Sequence, residues 1–400
     1  MDLLVSQRYR TDACTKCTTC LDVCPVAARV ERFPGPMAGG PQTQRLRSET
    51  RPILDGATDY CLNCKACDVA CPSGVRVSEL NTLARAAYVQ RYGARLRDRM
   101  LGHAYLLGQM STRVAPLANR ALSLSPLRWL LEKTFQVDRR RPFPRYQATT
   151  FRRWFARRPV LERERQVAYF VGCAADQTEV SVARAVVSVL ERNGFQVIVP
   201  PQTCCGLPLM ANGDIEGARS YARRNIDALR DVVERGLPIV TSSVSCGLML
   251  RSEYETVLGL REARPLAAQT FDIFEFLLLL KDEGQLDTTF QPIPASLPYH
   301  QSCHQRALGI GTPAIDVLNA VPGLRVAMMD SGCCGNPGTY GFKTEKYDLT
   351  MQIGRQLFEA IAKAGSDTVL SDCETCRWQI AHGGGVSAIH PIEVLARAYD

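Results

Sequence analysis

The sequence predicts an α+β protein of several domains, with a mainly helical amino-terminal domain followed by two α/β repeats. Three observations carry this. The 400 residues, 46% hydrophobic and 22% charged, are ordinary globular material with room for two or three cores. The 17 cysteines fall into separate zones: eight before residue 90, none between 91 and 165, nine after 166. Beyond residue 166, a strand–cysteine–helix pattern occurs twice. The boundaries that follow are 1–90, a linker at 91–165, and repeats at 166–285 and 296–400.

In the first zone, Cys14, Cys17, Cys20 and Cys24-Pro25 spell C-x2-C-x2-C-x3-C-P, and Cys61, Cys64, Cys67 and Cys71-Pro72 spell it again. That is the spacing of two-cluster ferredoxins, where the fourth cysteine serves the other cluster. Three thiolates placed three residues apart let a loop wrap one cubane while its amides face the sulfurs. The expected sets are Cys14, Cys17, Cys20 with Cys71, and Cys61, Cys64, Cys67 with Cys24. Structural zinc is the alternative, but it needs only two short pairs. The insert Arg29–Asp59, with FPGPMAGGPQTQRLR, exceeds that of a small ferredoxin and suggests a larger, mainly helical domain. Lys16, Arg29, Arg32 and Lys65 stand close enough in sequence to offset cluster charge, or else are solvated.

The middle zone reads as amphipathic helices broken at Pro116 and Pro126. Arg139–Arg158 follows, with eight arginines, no acid and aromatic rings that include Tyr146, Phe151, Trp154 and Phe155. Such a stretch suits an anionic membrane surface or an acidic partner, or is a solvated linker. Nucleic acid is not expected, since no recognition motif accompanies the charge. No apolar run approaches a bilayer span, and the first residues lack the apolar core of an export signal, so a cytoplasmic location is expected.

In the last zone Cys173 parallels Cys303, Cys204-Cys205 parallels Cys333-Cys334, and Cys246 parallels Cys376, with spacings agreeing within one residue. The second repeat adds Cys373 where the first has Ser243. Each cysteine closes an apolar run that a helical stretch follows, so the thiols belong at the carboxyl ends of parallel strands, where such sheets bind ligands. Adjacent cysteines are poor disulfide partners, and a reducing compartment favours metal. The five-cysteine set Cys303, Cys333, Cys334, Cys373 and Cys376 is the better candidate for a further iron–sulfur centre. Cys173, Cys204, Cys205 and Cys246 read as a degraded counterpart. His300, His304 and His390 read as structural, with a proton donor at a quinone site as the alternative.

No dinucleotide, phosphate-loop or nucleophile-elbow motif is present. A chain with electron carriers and no fingerprint of a substrate-oxidising cofactor is a relay, with no catalytic residue of its own.

The twin runs CTKCTTCLDVCP and CLNCKACDVACPSGV, followed by two CCG repeats, resemble the cysteine-rich iron–sulfur family that includes heterodisulfide reductase and the iron–sulfur subunits of glycolate and lactate dehydrogenases. Within it, the FPGPMAGGPQTQRLR insert, FRRWFARR, TCCGLPLMANG, TSSVSC, DSGCCGNPGTYGFKTEKY and SDCETCRWQI resemble the C-type subunits of anaerobic glycerol-3-phosphate dehydrogenases over nearly the whole chain. The resemblance implies two 4Fe–4S clusters and a peripheral subunit on the cytoplasmic side of the cell membrane. It implies electron transfer from flavoprotein dehydrogenase subunits to quinone, either menaquinone or ubiquinone. The alternatives are the iron–sulfur subunit of a glycolate or D-lactate dehydrogenase, and a thiol/disulfide reductase of the heterodisulfide type.

Overall fold

The computed structural model describes residues 9–46 and 56–400. Residues 1–8, where an export signal would begin, and the end of the long insert from Arg47 lie outside the described residues.

The amino-terminal domain contains no strand among its described residues. Its cysteine runs carry one-turn helices, Thr19–Asp22 and Ala66–Val69, and the second run leads into the helix Val77–Tyr92. The insert lies against that helix, with Phe33, Gly39, Gly40 and Pro41 buried. Four helices follow, Leu96–Gly102, Ala104–Arg113, Ala115–Ser123 and Ser125–Phe135. Pro116 and Pro126 sit in the first turns of the last two, where a missing N–H costs nothing.

Two four-stranded parallel sheets follow. The first comprises β1 (Arg165–Tyr169), β2 (Phe195–Ile198), β3 (Ile239–Thr241) and β4 (Thr270–Asp272), in the order β2-β1-β3-β4. The second comprises β5 (Ala295–Tyr299), β6 (Leu324–Met328), β7 (Thr368–Leu370) and β8 (Ser387–Ile389), in the order β6-β5-β7-β8. The same permutation twice shows the duplication in three dimensions.

Beside a cluster on one side of each sheet made almost wholly of its own residues, the repeats share a core. Helix Val180–Arg192 of the first packs on helix Pro391–Tyr399 of the second, and reciprocally Ile273–Asp282 packs on Pro313–Leu318. One apolar cluster therefore runs from Val167, Val186 and Leu190 through Phe274 and Leu277 to Tyr299, Leu324 and Ile392. Reciprocal pairing of equivalent helices is the arrangement of a two-fold interface.

Part of the arginine-rich stretch serves the fold itself, while Arg139, Arg140, Arg145, Arg153 and Arg157 stay exposed. Arg141 is 2% exposed and reaches Gly341 O, Gln379 and Thr350. Arg152 donates to Pro200 O and Gln202 O, and Arg158 forms a two-pronged pair with Glu191 at 2.9 and 2.7 Å. Rings accept cations too, with Arg158 and Arg184 over Trp154. The sequence showed the charge but not the carbonyls and carboxylates, far along the chain, that use it.

Candidate metal centres

The cysteine runs fold into the same unusual backbone. Lys16 and Thr18 flank Cys17 with φ of 60° and 65°, and Asn63 and Lys65 flank Cys64 with φ of 53° and 62°. Alternating left- and right-handed residues turn successive amides toward one side, the concavity that receives anionic sulfur. Side chains that are not glycine pay strain to hold this shape.

Two pockets result. One is lined by Cys14, Cys17, Cys20 and Cys71, the other by Cys24, Cys61, Cys64 and Cys67. Each draws three thiols from one run and the fourth from the other. Burial pushes the Cys61 thiol up to about 12 and the Cys64 thiol up to about 11. Such a set stays protonated until cations replace the protons, so the donor chemistry fits iron–sulfur clusters.

Of the basic residues near these runs, Lys16, Arg29 and Arg32 are exposed. Lys65 is buried, its Nζ 2.6 Å from Glu253 Oε1. Burial opposes its charge, but Glu253 and Glu79 overcome this and hold the ammonium above its usual range. Asn63 Nδ2 also donates to Glu253, at 3.3 Å. The second run is thereby tied to the first repeat, a link that sequence alone did not show.

The remaining nine cysteines converge as well. Cys173 and Cys303 open helices after β1 and β5, and Cys204-Cys205 and Cys333-Cys334 follow β2 and β6. Cys246 and Cys376 lie in the helices after β3 and β7. The glycine of each CCG has a left-handed φ, 90° at Gly206 and 81° at Gly335. A Cβ on Gly335 would stand 2.3 Å from Thr350 O, so the second motif accepts no larger residue.

Both sets line one cavity of about 210 Å³ between the repeats, with Cys61 and Cys64 in its wall. In each set one thiol is held low by hydrogen bonds from neighbours, Cys204 from Cys173 and Cys205, and Cys334 from Cys333 and Cys376. Hydrogen bonds to these thiolates and burial push Cys173, Cys205, Cys333 and Cys376 up. Cys334 and Cys376 are 3.1 Å apart, and His300 joins them with ligand atoms all within 4.8 Å.

Residues 10–75 match the 4Fe-4S dicluster domain, and residues 167–251 and 297–381 match the cysteine-rich domain. Over 396 residues, 96% of this chain and 98% of the relative, the sequence is 39% identical to the C-type subunit of the anaerobic glycerol-3-phosphate dehydrogenase of Escherichia coli strain K12. The chain belongs to this family of C-type subunits. It is an iron–sulfur electron-transfer subunit with two 4Fe–4S clusters. Partial relatives flank the family. Lactate utilization protein A of Exiguobacterium is 30% identical over 57% of this chain and 94% of that protein. The B-type subunit of fumarate reductase (CoM/CoB) of Methanothermobacter marburgensis is 29% identical over 59% of this chain and 47% of that protein.

Ser243 stands where the second repeat has Cys373 and caps helix Val244–Leu248, accepting from Cys246 N, while its hydroxyl reaches Glu374 at 3.1 and 3.2 Å. His304 bonds Ser245 Oγ and Asn63 O, and His390 bonds Ser242 O and caps the last helix. Both are structural. His300 differs, with Nδ1 on Ser331 Oγ and the ring beside Cys334 and Cys376.

Proposed function

We propose that this chain carries electrons from a flavoprotein dehydrogenase acting on glycerol 3-phosphate to a quinone, menaquinone or ubiquinone, at the cytoplasmic side of the cell membrane. One observation carries the relay: Cys64 lines both the pocket of Cys24, Cys61 and Cys67 and the cavity of the nine repeat cysteines. Cys64 thus joins the second thiol set to those of the repeats, while Cys20 and Cys67, one from each run, share an apolar cluster.

On this reading Cys14, Cys17, Cys20 and Cys71 hold one cluster, and Cys61, Cys64, Cys67 and Cys24 hold the other. Cys303, Cys333, Cys334, Cys373 and Cys376 hold a further centre, with Cys173, Cys204, Cys205 and Cys246 as its degraded counterpart. Bound iron–sulfur groups supply one-electron storage at these positions. The protein fixes the thiolates, supplies the Lys65 charge beside the second set and excludes water from the third.

The test separates substrate oxidation from quinone reduction. A flavoprotein partner given glycerol 3-phosphate is expected to reduce a soluble dye without this chain, and menaquinone only with it. Cys64→Ser is expected to abolish the quinone reaction and spare the dye reaction. Quinone reduction unchanged after loss of the clusters would refute the relay. Turnover with glycolate or lactate but not glycerol 3-phosphate would keep the relay and change the donor.

A further inference from the structure

More than half of the large apolar side chains exposed among the described residues lie between Leu96 and Leu130. Met110 is 66% exposed, Leu117 69% and Trp129 49%. They fall on one side of each helix, with Leu106, Met110 and Arg113 outward while Gly108 and Thr112 are buried, and with Leu117 and Arg120 outward on the next. No helix among the described residues is long and apolar enough to cross a membrane.

Charge identifies the occupant. Residues 91–135 hold eight lysines and arginines against two acids, Asp98 and Glu132. Asp98 is bound to Arg97 and Lys343, and Glu132 to Arg139. The outward charges, among them Arg91, Arg113, Arg120 and Lys133, are therefore positive. Aliphatic side chains and a tryptophan interleaved with cations match the boundary between acyl chains and anionic headgroups.

We propose that the outer face of the helices between Leu96 and Phe135 is the surface by which this protein docks on an anionic lipid bilayer. The proposal rests on the membrane acceptor named above and gives it a place. Leu101, Ala104 and Leu107 wall the cysteine cavity from the same layer, and Leu107 is also 37% exposed. Docking on this face sets the cavity about 10 Å, one helix diameter, from the lipid.

The test uses the full, cluster-loaded chain and quinone-free vesicles of phosphatidylcholine with or without phosphatidylglycerol. Sedimentation is expected only with the anionic vesicles, weakened by salt, with brominated acyl chains quenching tryptophan emission in the parent and not in Trp129→Phe. Met110→Asp with Leu117→Asp is expected to lower partitioning at least about tenfold, since both side chains leave the acyl boundary. Arg145→Gln with Arg157→Gln, exposed positions of the other basic stretch, is expected to leave it unchanged. Retained iron content shows that the variants are folded. Unchanged partitioning of the aspartate variant overturns the proposal, as does its loss of a co-purifying flavoprotein with vesicle binding intact. Because no quinone is present, failure here is distinct from failure of the menaquinone assay.

Discussion

Cys24 sits ten residues from the start of its own run yet lines the pocket of the other. Cys24→Ser is therefore expected to alter the paramagnetic signal of the cluster assigned to Cys61, Cys64 and Cys67. A change confined to the cluster assigned to Cys14, Cys17 and Cys20 would reverse the assignment. The grouping of the thiols into these pockets was legible because proline after the fourth cysteine and the spacing recur together. The fate of Lys65 was not legible, since Lys16 occupies a similar place and is solvated. The difference comes from Glu253, which sequence does not bring near. Lys65→Met strands the Glu253 carboxylate and is expected to cost about 3–5 kcal/mol, and Lys65→Met with Glu253→Met to recover much of it. Chemical unfolding measures this. A redox titration of the single variant is expected to show a lower potential for the second cluster, because a buried positive charge in the wall of its pocket is gone.

At the scale of elements, the strand–CCG–helix unit was readable because its cysteines, glycine and β-branched runs occur twice at matched spacing. The prolines that start helices at 116 and 126 were readable for the same local reason. The internal role of Arg141 was not legible, because an arginine's role depends on what faces it, and Gly341, Thr350 and Gln379 arrive from about two hundred residues later. The unequal third elements carry a prediction. Cys373 stands at the start of its helix with a thiol that makes no capping bond, whereas Ser243 caps the equivalent helix with a hydroxyl already engaged by Glu374. Cys373→Ser is expected to remove iron beyond the two cubanes and Cys246→Ser to remove little, as read by iron analysis of purified chains. Equal losses would reject the asymmetry.

For the whole molecule, the repeats matter as a pair. Sequence revealed the duplication but not that each copy completes the other's core, because the apolar faces of Val180–Arg192 and Ile273–Asp282 read like any amphipathic helix. A chain ended after Gln291 leaves Val186, Leu190, Phe274 and Leu277 without the partners they have in the full fold, each worth roughly 1.5–3 kcal/mol of burial. It is expected to be insoluble, and co-expression with the remainder to restore a soluble complex by size-exclusion chromatography.

The four left-handed residues around Cys17 and Cys64 bear on the life of the chain before it works. A left-handed conformation costs a residue other than glycine about 1–2 kcal/mol, and without metal these loops have no iron–sulfur bond to offset it. Iron is then what makes these loops the preferred shape. A newly made chain without metal is expected to leave both runs open to proteases, while a loaded chain hides them. Cellular iron supply would thereby set how much of the protein survives, with the two loops acting as the gauge.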